Sequence, residues 1–416
     1  MRELKGKYAE DVIQYVRGVV GGSIVAGADR IKGCQRFLEM LDDERFDIRV
    51  RDADFVIGII ERVFRHRQGE RLDGTPLRNT PFLLEPWQKY CVYGMLCFFY
   101  AGTQERVIKE AFIFIPRKNG KTIFVSALAW ALSILQRASG SVVYVVGAAL
   151  KQAMETFENW DYNLEHVQYS GKREAQEDGW EIHDNNMEHS ISHPDLDGGS
   201  ISLNALASNP DSQDSFNCNI VIADEVHAYK SPKQYNVLKE ATKAYTNKLV
   251  ITITTAGDDG LSFCAQRLEY CRRVLKGKYK NDNLFSFICC ADQDEKGNVD
   301  ILDPVQHRKA NPSYGVTIRP ADIMNDAQQA ADDPQQKKDF LAKSLNIFTA
   351  QMKAYFQRNT YRWSNMKAGE SRGIDPDWTL DEKIRHILRL NVNWYGGADL
   401  SKLRSEEHTS ELQSRI

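Results

Sequence analysis

Two short stretches hold residue types that could handle a phosphate chain. In FIFIPRKNGKTIFVSALAW, residues 112–130, Gly120, Lys121 and Thr122 stand between two apolar runs. A strand, a tight turn whose backbone N–H groups converge, and a helix N-terminus behind them make an anion cradle. Gly120 allows close backbone approach, Lys121 supplies a cation for phosphate oxygens, and Thr122 supplies a hydroxyl suited to Mg²⁺. Ile115 occupies the place of the first glycine in the usual G-x-x-x-x-G-K-[ST] pattern, and Pro116 with its fixed φ imposes a different turn. The alternative is an ordinary strand–turn–helix connection. The second stretch is NIVIADE, Asn219 to Glu225, four apolar residues running into adjacent acids. At the end of a buried strand beside a phosphate loop, Asp224 can serve the metal and Glu225 can orient an attacking water. A poised base of that kind is worth about 10² to 10⁴ in rate. The alternative is a strand that simply ends in two exposed acids.

Two further stretches fit the same chemistry. In PFLLEPWQKY, Gln88 carries an amide able to pair with an adenine edge, and Trp87 or Phe82 offers a flat apolar wall. The same residues also read as a helix start with Pro86 in its first turn. ITITTAG ends a buried run in Thr254, Thr255 and Gly257, whose hydroxyls could sense a terminal phosphate or merely cap the strand. His183, His189 and His193 fall in a polar, loop-like insertion without a cysteine or carboxylate frame, and exposed histidines are the simpler reading. HRKANPSYG, 307–315, reads as a turn. RHRQGER, 65–71, and CRRVLKGKYK, 271–280, are the best basic clusters, and each reads as a solvated face.

The elements that must position these residues follow from periodicity. The order of short, flat apolar runs at 111, 141, 200, 219 and 248, separated by helical patterns, fits strands buried on both faces of a parallel sheet, an α/β core. Residues 1–80 carry helical spacing; in DADFVIGIIERVF, Phe55, Ile57, Ile59, Ile60 and Val63 crowd one side. A chain of 416 residues suggests two or three domains. Its net charge of -3 argues against an all-over nucleic-acid footprint but leaves room for a local one. The eight cysteines form no C-x-x-C pair and read as reduced, buried thiols. Met1–Glu10 lacks the apolar core of a signal peptide, and Ile123–Leu135 is too short to span a bilayer, so work in a cytosol is expected.

The order LLEPWQ, PRKNGKT, VIADE, TTAG resembles the large terminase subunit of tailed bacteriophages, the ATP-driven motor that packs DNA into a procapsid. The likeness runs from about residue 30 to 401, and in that family the first loop glycine is commonly absent. It implies a P-loop NTPase parallel-sheet core with Walker A and Walker B elements, a helical N-terminal segment, a C-terminal linker subdomain and the stub of a nuclease domain. The expected boundaries are 1–80 for the helical segment, 81–258 for the ATPase core, 259–390 for the linker or lid, and 391–403 for the first strand of a ribonuclease-H-like nuclease. Residues 404–416 look like the translation of a sequencing adapter, so the natural chain is expected to continue where this one stops. The resemblance further implies that Gln88 and Trp87 contact adenine and that Arg117, Lys118, Asn119, Gly120, Lys121 and Thr122 hold the ATP phosphates. Thr122 and Asp224 would hold Mg²⁺, Glu225 would activate water, Arg117 would stabilise the γ-phosphate, and Thr254, Thr255 and Gly257 would couple hydrolysis to movement. Asp399 would be a nuclease metal ligand whose partners lie beyond this chain; two divalent metals belong to the full-length family only, and this chain alone should not cut DNA. Implied partners are double-stranded DNA, the portal protein, the small terminase subunit and further copies in a homo-oligomeric ring on the procapsid, in the bacterial host cytoplasm, with no membrane. The rivals are a helicase-like DNA-dependent ATPase and a nucleotide-binding fragment without turnover.

Overall fold

A computed structural model of the chain describes residues 2–185, 188–208, 216–349 and 379. Residues 1–351 form one compact unit. Three amphipathic helices open it, α1 (Ala9–Val20), α2 (Ala28–Asp42) and α3 (Arg51–Val63), with the short strand β1 (Phe46–Ile48) between the last two. The N-terminus is therefore helical, as its spacing suggests. In α3 the buried face is Ala53, Val56, Ile57 and Ile60, which share one side at i, i+3, i+4, i+7 spacing. Phe55, assigned to that face from sequence, points outward at 37% exposure.

Helix α4 (Pro86–Leu96) and β2 (Phe98–Tyr100), which pairs with β1, lead into an eight-stranded sheet. Its strands are β3 (Glu110–Phe114), β4 (Ser141–Gly147), β5 (Glu181–Asp184), β6 (His189–His193), β7 (Ile201–Ala207), β8 (Ile220–Asp224), β9 (Leu249–Thr254) and β10 (Leu284–Ile288). The order is β10-β3-β9-β8-β4-β7-β6-β5, parallel from β10 to β7 and antiparallel for the last two strands. The five runs singled out for their apolar texture are five of the six parallel strands. All five residues of β8 and all six of β9 are buried, as strands covered on both faces must be. The insertion bearing the three histidines is no loop, since its flanks are β5 and β6. His193 is buried there against the Asp178 carbonyl oxygen, at 2.9 Å.

Helices α5 (Lys121–Leu135), α6 (Leu150–Asn163) and α7 (Lys172–Glu177) follow the first loop, and α8 (Pro232–Glu240) and α9 (Phe263–Leu275) follow β8 and β9. One apolar core joins the N-terminal helices, α4, α5 and one face of the sheet; a second joins the other face to α8 and α9. The sheet continues past residue 258, because β10 pairs with β3 along its whole length. Gly94 lets α4 lie against that strand, for a Cβ there would meet the Phe285 ring at 2.2 Å. A third small core, from Ala291 to Ile347, is built on α10 (Pro304–Ala310), α11 (Pro320–Asp332) and α12 (Pro334–Lys343). All eight cysteines are buried free thiols. Among the described residues, no helix is long and apolar enough to cross a membrane.

Candidate active site

The sheet order brings three strand ends together. Strand β9 lies between β3 and β8, with Phe114 level with Thr254 and Asp224 level with Ile253. The turn after β3, the TTAG segment and the acidic pair thus open on one edge, about 10 Å wide from β3 to β8 at ordinary strand spacing. After β3 the chain turns sharply: Lys118 (φ 67) and Gly120 (φ 68) both take left-handed backbone, and α5 begins at Lys121. Gly120 carries that conformation without the strain a Cβ brings.

Lys121 is 8% exposed, and its Nζ lies 3.3 Å from Glu225 Oε1. That separation makes an ion pair, but the ammonium has no hydrogen-bond acceptor among the described residues. Burial pushes its pKa down, and the carboxylates of Glu225 and Asp224 oppose the shift. Burial pushes Asp224 up, reinforced by the neighbouring charge of Glu225 and, more weakly, of Glu155. For Glu225 burial acts upward too, but the hydrogen bond from His227 and the charge of Lys121 outweigh it and hold the carboxyl below its usual range. The pair is thus split, with Glu225 the firmly ionised member. Glu225 sits in left-handed backbone (φ 50, ψ 45), pinned where its N–H donates to the Ile253 carbonyl and to Asp224 Oδ1. Non-glycine residues held there cost of order 1–3 kcal/mol and persist where the surroundings over-determine them.

Lys121 and Glu225 line a cleft of about 460 Å³ with Arg117, Lys118, Gly120, Thr122 and Glu155. The exposed Arg117 guanidinium has no partner among the described residues, and its backbone N–H donates to the Lys343 carbonyl at 3.1 Å. Thr122 follows Lys121 in the first turn of α5. Thr254 and Thr255 are fully buried at the cleft's rear, and Thr255 Oγ1 donates to Glu225 Oε2 at 3.4 Å.

Three expected ligand contacts are otherwise engaged. Gln88 is 2% exposed and closes a capping box at the start of α4, its Oε1 accepting from Glu85 N at 2.8 Å. Trp87 stacks on Phe287 (centroids 5.4 Å apart, planes at 7°) and donates its indole N–H to Ser313 Oγ at 3.1 Å. Neither side chain lines the cleft, because the Leu84–Tyr90 stretch is claimed by β10 and the third core. The Asn119 side chain is fully buried, donating to Asn311 Oδ1 (2.9 Å) and accepting from Ser313 N (3.1 Å). It braces the loop from behind, so the segment read from sequence as a mere turn is the loop's support. Thr317 adds a hydrogen bond to the Lys118 carbonyl at 2.7 Å. Asp399 lies outside the described residues.

Sequence reasoning missed His66, Arg67 and Gln68 in the cleft wall, although they belong to the basic cluster read as a solvated face. It also missed Glu155 and Asn159 on α6, whose placement depends on how that helix crosses α5. His227, next to the acidic pair, touches Glu225 Oε2 at 3.0 Å and Thr254 Oγ1 at 3.2 Å.

Residues 86–273 match the family model of the terminase large subunit, ATPase domain. This segment is similar to the terminase large-subunit ATPase domain. The match begins at α4, runs from β3 into α9 and contains the loop, the acidic pair and the TTAG segment, while His66, Arg67 and Gln68 of the cleft wall lie before it. Protein YmfN of Escherichia coli (strain K12) is 28% identical over 144 residues, 35% of this chain and 30% of that protein. The crystal structure of the HK97 bacteriophage large terminase superposes with a TM-score of 0.57 at 19% identity, covering 71% of this chain and 55% of that one. The likeness establishes a shared fold. The chain spans about a third of the first relative and just over half of the second.

Proposed function

We propose that the cleft binds and hydrolyses ATP and that the chain is the motor part of a phage DNA-packaging terminase. The observation that carries this reading is the pairing of a buried lysine ammonium, short of hydrogen-bond acceptors, with a firmly ionised glutamate across the mouth of a strand–loop–helix anion cradle. Lys121 and the backbone of residues 118–122 bind the β- and γ-phosphates, and Arg117, free to swing, offsets charge developing on the γ-phosphate. Such an arginine is worth about 10³ to 10⁵ in rate. Glu225 orients the attacking water and accepts its proton. Thr122 and Asp224 would hold Mg²⁺, which supplies charge neutralisation on the phosphate oxygens; the buried carboxyl of Asp224, at the end of β8 beside Glu225, fits that role. Thr254, Thr255 and Gly257 pass the change in the cleft to the rest of the molecule.

The adenine base belongs in the adjoining hollow of about 570 Å³, which shares Arg67, Gln68 and Glu155 with the cleft and adds Leu150 and Met154 as an apolar floor. A contrast of two glutamines checks this. Gln88→Ala should cost about 1 kcal/mol of stability in chemical denaturation through the lost cap and leave the KM for ATP unchanged, whereas Gln68→Ala should raise that KM several-fold at unchanged stability. The reverse pattern would return the base to Gln88.

In the same reading, double-stranded DNA is gripped largely through its phosphates, so binding weakens with salt. The portal protein, the small terminase subunit and a homo-oligomeric ring complete the machine in the host cytoplasm. The segment beyond β10 would link the ATPase to the nuclease of the full-length family, with Asp399 as its first metal ligand. ATP turnover measured with and without double-stranded DNA tests the motor reading: stimulation supports it, turnover indifferent to DNA marks an ATPase not coupled to DNA, and binding without turnover marks a passive nucleotide binder.

A further inference from the structure

We infer that His227 is a positioning residue for hydrolysis, holding the Glu225 carboxylate in register with the Thr254–Gly257 strand end. The inference rests on the ATPase reading of the cleft. The nearest neighbours of the two Glu225 oxygens are Lys121 Nζ at Oε1 (3.3 Å) and His227 Nδ1 at Oε2 (3.0 Å). A phosphate chain bound at Lys121 competes for the first of these. The orientation of Glu225 then depends on the second, with Thr255 Oγ1 as a weaker donor at 3.4 Å.

His227 is itself tied to the strand end at several points. Its backbone N–H donates to Thr254 Oγ1 at 3.1 Å, which fixes the 3₁₀ turn Val226–Ala228 against β9. Its Nδ1 lies 3.2 Å from that same hydroxyl and 3.5 Å from Thr255 Oγ1, and a methyl group placed on Gly257 would come within 3.4 Å of ring carbon Cδ2. One imidazole therefore touches Glu225, Thr254 and Thr255, with Gly257 leaving room beside the ring. With the single N–H on Nδ1 directed at the carboxylate, Thr254 serves as acceptor for the backbone and gives its own proton to the Thr255 carbonyl at 3.3 Å. A shift of the strand end moves the ring, and the ring moves the carboxylate that must face the water.

The test compares wild-type, His227→Asn and His227→Leu proteins in steady-state ATP hydrolysis, with binding of a fluorescent ATP analogue as the check that each variant is folded. Asparagine can place its amide N–H near the position of Nδ1; leucine cannot. His227→Leu should lose about 10- to 100-fold in kcat, the range expected for one hydrogen bond to a charged group, while the KM for ATP moves less than about threefold. His227→Asn should recover most of that loss. Wild-type kcat in His227→Leu would overturn the inference, and so would equal losses in both variants accompanied by weaker analogue binding, the signature of a structural role. A wild-type protein that neither binds nor hydrolyses ATP would overturn the ATPase reading and this inference with it, an outcome distinct from the other two.

Discussion

Lys121→Ala is expected to reduce ATP turnover at least about 100-fold and to abolish measurable nucleotide binding. The ammonium is buried at the start of α5 and lacks a hydrogen-bond acceptor of its own, so its donors are committed to nothing that phosphate oxygens would have to displace except the ion pair with Glu225. Each hydrogen bond to a charged group is worth about 1.5–3 kcal/mol, and a lysine cradling a phosphate chain makes more than one. Its removal also leaves Asp224 and Glu225 as two buried carboxylates facing a polyanion with no cation on that wall, which adds repulsion to the lost attraction. Isothermal titration with ATP and a turnover assay, on protein shown to be folded by circular dichroism, check the prediction. Unchanged turnover would remove the phosphate loop from this position.

Glu225→Gln separates binding from chemistry. The amide has almost the same shape as the carboxylate and can still accept from His227 and Thr255, but it cannot take a proton from water. ATP binding should stay within a few-fold of wild type while hydrolysis falls at least about 10²-fold. The left-handed backbone of Glu225 is retained, so the loss should not come with general destabilisation. Parallel loss of binding and turnover would assign Glu225 to holding the loop through Lys121 rather than to activating water.

Much of this site was legible because it depends on local chemistry at the ends of buried strands. The runs ending at Phe114, Asp224 and Thr254 are buried and largely apolar, and a parallel sheet aligns such ends on one edge. The surroundings of Trp87 and Gln88 are not legible in the same way. Trp87 and Gln88 have the right chemistry, but Phe287 on β10 and Ser313 beyond α10 take the indole, and the helix cap takes the amide. Those partners lie some two hundred residues away in a charged, loop-rich stretch, where β10, LFSFI, is a five-residue run interrupted by a serine. The bracing role of the Asn119 side chain is hidden for the same reason: its partners, Asn311 and Ser313, sit in a segment whose sequence says only turn. Phe55 shows the opposite failure, a hydrophobic residue in a helical window that the actual phase of α3 turns outward. His227 stands two residues beyond Glu225, but only Thr254 and Thr255, brought alongside at the end of β9, give that histidine something to connect.

The central claim is that Lys121, Asp224 and Glu225 face one triphosphate. A crystal structure of the protein with Mg²⁺ and a non-hydrolysable ATP analogue tests it directly. The account predicts the β- and γ-phosphates against Lys121 and the backbone of residues 118–122, the metal between Thr122 and Asp224, and the Glu225 carboxylate released from Lys121 yet still bonded to His227. An analogue bound elsewhere, or bound here with Glu225 still locked on Lys121 and no metal at Asp224, would contradict it.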